Sequence, residues 1–288
     1  MHKFKKMLHD LNELVMFKHS VFSLPFIFIA MIVAAKGWFG WKLFFLGVLA
    51  AVTARNFAMG FNRYADMDID RDNPRTANRP SVDGRLKKET ILFFTTINAV
   101  LFVVVAYFIN DLAFWLSFPI LVVLGGYSLM KRVSAMAHLV LGLSLGLAPV
   151  AGVVAVEAKI TMWSLFLSVG VMFWVAGFDL LYSLQDIEYD KKVDLHSIPS
   201  RYGTKCTLFL SKIFHGLTIL FWLFFAVESQ SGWLTFAAVV VSAVILYLEH
   251  IIVNRDFTKI DKAFFTLNGY LGIMFLAFVI LDNLQVIS

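Results

Sequence analysis

"MWSLFLSVGVMFWVAGFDLLY", residues Met162–Tyr182, is a run of 21 residues with a single charged group, Asp179, three places from its end. An apolar stretch of about 20 residues, rising about 1.5 Å per residue as a helix, matches the hydrocarbon thickness of a bilayer. The run leads straight into "SLQDIEYDKKVDLHSIPSRYG", Ser183–Gly203, rich in acidic and basic residues. The stretch therefore reads as a spanning helix that delivers an acidic segment to one face of the membrane.

Working outward, eight further apolar runs appear, at about 19–36, 41–60, 90–109, 112–130, 138–157, 207–228, 233–253 and 264–283. Composition agrees: 59% of residues are hydrophobic and only 16% charged, where a soluble domain carries about 25% charged residues. Three connections are longer and polar (61–89, 183–206 and 254–263), and all three follow an even-numbered span, so they share one side. Of the 25 Lys and Arg residues, only Lys36, Lys42 and Lys159 fall on the other side. The positive-inside rule makes the basic side cytoplasmic. The net charge of +5 thus belongs to short loops, and no motif for nucleic acid accompanies it. The single cysteine, Cys206, excludes an internal disulfide framework. The opening "MHKFKKMLHDLNELVMFKHS" lacks a small-residue cleavage site. Phe4, Met7, Leu8, Leu11, Leu14 and Val15 recur there at helical spacing among charges, which predicts an amphipathic helix lying on the membrane over residues 1–18.

An acidic segment like the one after Tyr182 occurs earlier, in "RNFAMGFNRYADMDIDRDNPRTANRP", Arg55–Pro80. Asp66 and Asp186 differ by 120 positions, as do Asp70 and Asp190, and each pair is followed by an arginine near a proline. Four spans separate the segments, so both enter from the same side, as in a parallel pseudo-repeat. Asn62, Asp66 and Asp70 are spaced i, i+4, i+8, one face of a helix; Tyr182, Asp186 and Asp190 repeat the pattern. Stacked carboxylates repel by a few tenths of a kcal/mol per pair, which cations relieve. Magnesium suits such a site, because it takes oxygen ligands and is often shared between one or two carboxylates and a substrate phosphate. Two facing clusters would hold two ions with a diphosphate between them. Arg71, Arg75, Arg79, Lys131, Lys191 and Arg201 are available for the outer oxygens. One acidic loop alone would read as a solvated surface, whereas two at a matching offset point to a site. Asp179 ends an apolar run, where an ionisable group is usually functional.

These motifs resemble the UbiA superfamily of membrane prenyltransferases across nearly the whole chain. The specific parts are NRxxDxxxD at Asn62–Asp70 with "PRTANRP", DxxYxxxDxxxD at Asp179–Asp190, Tyr127 and Lys131 in "YSLMKR", and "HLVLGLSLGLAP" on the fifth span. The resemblance implies an all-α polytopic membrane protein, with nine transmembrane helices around a central cavity in one domain over 1–288. It also implies cytoplasmic caps formed by 61–89 and 183–206, Mg2+, a polyprenyl diphosphate donor and an aromatic acid acceptor. Carried onto this chain, Asn62, Asp66, Asp70, Asp186 and Asp190 hold the metal, and Arg75, Lys131 and Arg201 contact the diphosphate. Arg55 matches an arginine of the 4-hydroxybenzoate branch and pairs with the acceptor carboxylate, with Tyr182 beside the acceptor. Asp179 and Asp186 are the candidate catalytic acids and bases. The expected activity is transfer of a polyprenyl group to a ring carbon of 4-hydroxybenzoate for respiratory quinone synthesis, in the inner (plasma) membrane.

Two departures stand out. Arg63 takes the place of an aspartate found in many members, and "KHSVFSLPF" is closer to a branch that makes menaquinone through futalosine. A futalosine-derived acceptor is therefore the alternative. From a different class, a transporter using Asp179 remains a rival. Haem, dihydroxynaphthoate and a silent lipid-binding scaffold are further alternatives. His138 and the neighbouring Glu249 and His250 read as helix-end or interfacial residues, and His196 as a loop residue. Gly142 and Gly146 form a GxxxG pattern suited to close helix packing.

Overall fold

The computed structural model describes residues 2–16, 24–257, 260 and 263–285. Twelve α-helices follow in order: α1 His2–Leu14, α2 Leu24–Ala35, α3 Trp41–Ala65, α4 Met67–Asp72, α5 Lys88–Ile109, α6 Asp111–Met130, α7 Ala137–Glu157, α8 Met162–Tyr182, α9 Ile187–Lys192, α10 Ile198–Glu228, α11 Trp233–Arg255 and α12 Asn268–Gln285. The described residues contain no strand. Among the described residues, eight helical stretches are long and apolar enough to cross a membrane: α3, α5, α6, α7, α8 with its continuation to Lys192, α10, α11 and Phe265–Leu284, most of which is α12. The ninth expected span, 19–36, is a 12-residue apolar helix, α2; residues 19–23 of that expectation lie outside the described residues.

Short α2 earns its place by packing rather than length. Phe26 is fully buried, with its ring 5.1 Å from Trp174 of α8 and 5.3 Å from Trp222 of α10. Trp222 in turn lies 5.1 Å from Phe275 of α12. Large apolar side chains on α3, α5, α6, α10 and α11, such as Phe45, Phe93, Trp115, Val122, Phe209 and Val240, point outward and are exposed. With no water to favour helix–helix contact in lipid, backbones must approach closely. Gly142 and Gly146 do this for α7 on α8: a Cβ at Gly142 would strike the carbonyl of Met172, and one at Gly146 would stand 2.8 Å from that of Ser168.

Burial corrects the interfacial placement of Glu249 and His250. Glu249 is 1% exposed and accepts from Asn268 Nδ2 at 2.8 Å, and Asn268 accepts from Trp174 Nε1 at 2.7 Å. His250 Nε2 meets His215 Nδ1 of α10 at 3.0 Å. Neighbouring helices supply partners that no local sequence window contains. The N-terminal stretch is helical, as α1, and it also packs on the protein. Its apolar residues Leu11 and Leu14 pack on Leu86, Ile91 and Tyr64 of the protein, while Met7 and Leu8 are exposed. Arg85 clamps α1 to the first acidic connection through both oxygens of Glu13, at 2.5 and 2.8 Å. Side-chain placement of Phe4 lies outside what is described.

Candidate active site

Both acidic segments start as the direct continuation of a spanning helix and bend at an aspartate. Asp66, between α3 and α4, has φ −99° and ψ 10°. Asp186, between a 3-10 turn (Ser183–Asp186) and α9, has φ −103° and ψ 4°. The same bridge-region bend therefore recurs 120 residues on. Tyr189 Oη donates to the carbonyl of Ile69 at 2.6 Å, locking the two segments together at equivalent positions. Arg132 secures the first bend, donating to Ala65 O at 2.6 Å and to both oxygens of Asp68. That pairing holds the Asp68 carboxyl at about 2, below its ordinary range.

The segments enclose a polar pocket of about 160 Å3 whose lining includes Asn62, Asp66, Asp70, Asp186 and Asp190, with Arg75, Arg79 and Lys131. Lys131 Nζ lies 2.8 Å from Asp66 Oδ2, which also accepts from Asn62 Nδ2 at 3.0 Å. Arg79 donates to Asp70 at 2.6 Å. Arg75 grips both oxygens of Asp186, at 2.9 and 2.6 Å, and donates to Tyr182 Oη at 3.1 Å. Asp190 accepts from Ser197 Oγ at 2.7 Å. Three of the four carboxylates thus have a basic partner from within the pocket. Asp66 Oδ1 is buried without a hydrogen-bond partner. Burial raises the Asp66 carboxyl above its usual range, although Lys131 pulls the other way.

This donor set fits a hard divalent cation. All the acidic and amide ligands are oxygen donors, and Asp66 Oδ1, without a hydrogen bond although Arg132 Nη2 lies 3.7 Å away, is the kind of atom a cation would satisfy. Among the described residues, no three His, Cys, Asp or Glu side chains are grouped to hold one ion by themselves. An ion here would need water or substrate oxygens to complete its shell.

Below the pocket lies an apolar chamber of about 460 Å3, walled by α2, α3, α5, α6, α7 and α8. Its polar side chains among the described residues are Arg55, Tyr127 and Ser144. Arg55 and Asn62 are seven places apart on α3, about 10 Å along the axis, and Tyr127 and Lys131 are one turn apart on α6. Chamber and pocket are thus joined through two helices. Arg55 Nη2 donates to the carbonyl of Met16 at 3.2 Å, while its buried Nε has no partner. Arg63, the departure from the usual motif, reaches α1 as well, from Nε to Leu14 O at 3.4 Å, and lies 3.9 Å from Asp70.

Not every expected residue lines the pocket. Arg201 is exposed and bonds His196 Nδ1 at 2.8 Å, in the first turn of α10; the connection expected to run to 206 is helical from Ile198. Arg71 and Lys191 also lie outside the lining. Asp179 lies in the last turn of α8 and binds His138 Nδ1 at 2.7 Å. His138, given a helix-end role from sequence, is therefore buried beside an expected site residue. Its partner is 41 positions away, and only the α7–α8 packing reveals it.

A model of the UbiA prenyltransferase family matches residues 23–279. The 4-hydroxybenzoate octaprenyltransferases of Methylobacillus flagellatus and Tolumonas auensis are each 27% identical, over 83% and 88% of this chain and 80% and 88% of theirs. The apo structure of a UbiA homologue from Aeropyrum pernix K1 superposes with a TM-score of 0.84 at 28% identity, over 92% of this chain and 98% of that one. A UbiA homologue from Archaeoglobus fulgidus bound to DMAPP and Mg2+ shares the fold, with a TM-score of 0.76 at 18% identity, over 94% of this chain and 99% of that one. With the family model running from the start of the helical bundle almost to its end, this multi-pass membrane protein belongs to the UbiA prenyltransferase family.

Proposed function

We propose that the protein transfers a polyprenyl group from its diphosphate to a ring carbon of 4-hydroxybenzoate, with magnesium, in respiratory quinone synthesis. The observation that carries this is the junction of a pocket lined by four aspartates and four basic side chains (Arg63, Arg75, Arg79 and Lys131) with an apolar chamber in which Arg55 is the charged group among the described residues. A diphosphate suits the first and an isoprenoid the second, where each buried CH₂ contributes about 0.8 kcal/mol. The chamber lining contains no acidic residue, which argues against a transport path needing polar groups across the membrane. In this reading the pocket opens to the cytoplasm from the plasma membrane, an orientation supported by the Lys and Arg distribution.

Asn62, Asp66, Asp70, Asp186 and Asp190 would hold magnesium, which neutralises charge on the departing diphosphate. Arg75 and Lys131, now paired with Asp186 and Asp66, would turn to the diphosphate oxygens once cations relieve those carboxylates. Arg201 would reach the outer diphosphate from the first turn of α10. The apolar chamber keeps water from the allylic cation left when the C–O bond breaks. Arg55 would take the acceptor carboxylate through its unpartnered Nε, with Tyr182 beside the ring. The ring carbon supplies the electron pair for the new C–C bond, and its proton passes to Asp179 or Asp186.

The test is an assay in native membranes with a polyprenyl diphosphate and magnesium, comparing 4-hydroxybenzoate with a futalosine-type acceptor by product mass. Prenylated 4-hydroxybenzoate, lost on chelation and reduced at least about 100-fold in Asp66→Ala and Asp186→Ala, is the expected result. Product only from the other acceptor would move the enzyme to menaquinone synthesis. Undiminished turnover in both variants at saturating magnesium would refute the site.

A further inference from the structure

His138 is 5% exposed, at the first turn of α7, and its Nε2 is buried without a hydrogen-bond partner. Its Nδ1 lies 2.7 Å from Asp179 Oδ2. A carboxylate only accepts, so the imidazole must donate Nδ1–H, which fixes the tautomer with the lone pair on Nε2. His138 precedes Leu141 and Leu145 by three and seven places, and both line the apolar chamber. His138 therefore sits one turn before the chamber-lining part of α7, outside the lining itself. Asp179 precedes Tyr182 and Asp186 by three and seven places, and these two share Arg75. The His138–Asp179 pair thus lies near both linings without being part of either, with the Asp179 side chain 22% exposed.

Close packing makes this contact. Gly142 lies against Met172 and Ala176 of α8, and Gly146 against Ser168. Continuing that antiparallel register by one turn puts residue 138 opposite residue 179. The other candidate base is placed differently: Asp186 is held through both oxygens by Arg75 inside the pocket.

We propose that His138 is a positioning residue that holds Asp179 as the group accepting the ring proton. This rests on the prenyl-transfer function proposed above. In the step, the allylic C–O bond breaks and the diphosphate leaves with its electron pair. A ring carbon forms the C–C bond, and the ring C–H electrons restore aromaticity as the proton moves to Asp179 Oδ1. The Nδ1–H of His138 stays on Oδ2 and keeps the carboxylate from turning away. Without it, proton removal slows while donor binding is spared.

The test uses native membranes, geranyl diphosphate, magnesium and the aromatic acceptor that the wild type prenylates, with and without deuterium at the attacked ring carbon. For His138→Ala, turnover should fall about 100-fold, with the donor KM held within about twofold. The ring-deuterium isotope effect should rise from near unity in the wild type. His138→Asn, whose amide can donate in place of Nδ1–H, should recover about tenfold of the loss and reduce the isotope effect. Wild-type turnover in His138→Ala would overturn the proposal. So would a loss with a raised donor KM, no isotope effect and no rescue by Asn, which marks a merely structural residue. Failure of the wild type to prenylate any aromatic acceptor would overturn the parent function along with it.

Discussion

Single side chains here are read best through their partners. Glu13 shows how a charge pair reports on a local structure. Its hydrogen bonds to Arg85 hold its carboxyl below the ordinary 4.5. A depressed carboxyl stabilises the folded form above its unfolded pKa and loses that contribution as pH falls through the folded value. Docking of α1 should therefore be intact at pH 7 and weaken as the pH drops below about 4.5. Hydrogen-exchange protection of α1, corrected for the intrinsic rate, measures this, and Arg85→Ala should show weak protection throughout. Protection in the wild type that stays flat down to pH 3 would contradict the role of this pair. The pocket aspartates were legible in sequence because their spacing is local. His138 was not, because its partner depends on which helix lies beside it. Proximity to the motif in sequence did not bring the Arg201 guanidinium into the pocket lining; it bonds His196 instead.

Among the helices, α7 and α8 pack closely and bring His138 to Asp179. The GxxxG pair of α7 was readable as a packing stripe, since small residues are what let backbones approach in lipid. What it packs against, and that it sets the height of His138 against Asp179, required the tertiary structure. Gly142→Val should push α7 from the Met172 carbonyl, lower stability by about 1–3 kcal/mol and depress turnover beyond what the stability loss explains. Thermal unfolding and activity of the same preparation separate the two effects. A variant with unchanged midpoint and rate would show that α7 and α8 tolerate a wider spacing. Helix ends were less legible. Hydrophobicity stops near the membrane face, but α3 runs to Ala65 and α10 starts at Ile198, because polar helix turns keep their backbone hydrogen bonds outside the lipid.

At the scale of the molecule, the 120-residue offset was visible as two spaced aspartate pairs, and the structure extends it to the start of one helix. Adding 120 to the start of α3 gives Thr161, the N-cap of α8, whereas adding it to the start of α5 gives Leu208, ten residues into α10. Orientation is a matter of counting charges, and it can be checked on the native chain. Cys206, the one cysteine, is partly exposed and precedes the membrane-crossing part of α10. A membrane-impermeant maleimide should label it in inside-out vesicles and leave it untouched in right-side-out ones. Labelling from the outside would invert the proposed topology. The apolar chamber has a practical consequence. An apolar space of about 460 Å3 that takes up an isoprenoid, as proposed, would not distinguish it from the alkyl tail of a detergent. Once solubilised, the enzyme faces a competing occupant at millimolar concentration, and a dormant micellar preparation is compatible with a fully active one in liposomes.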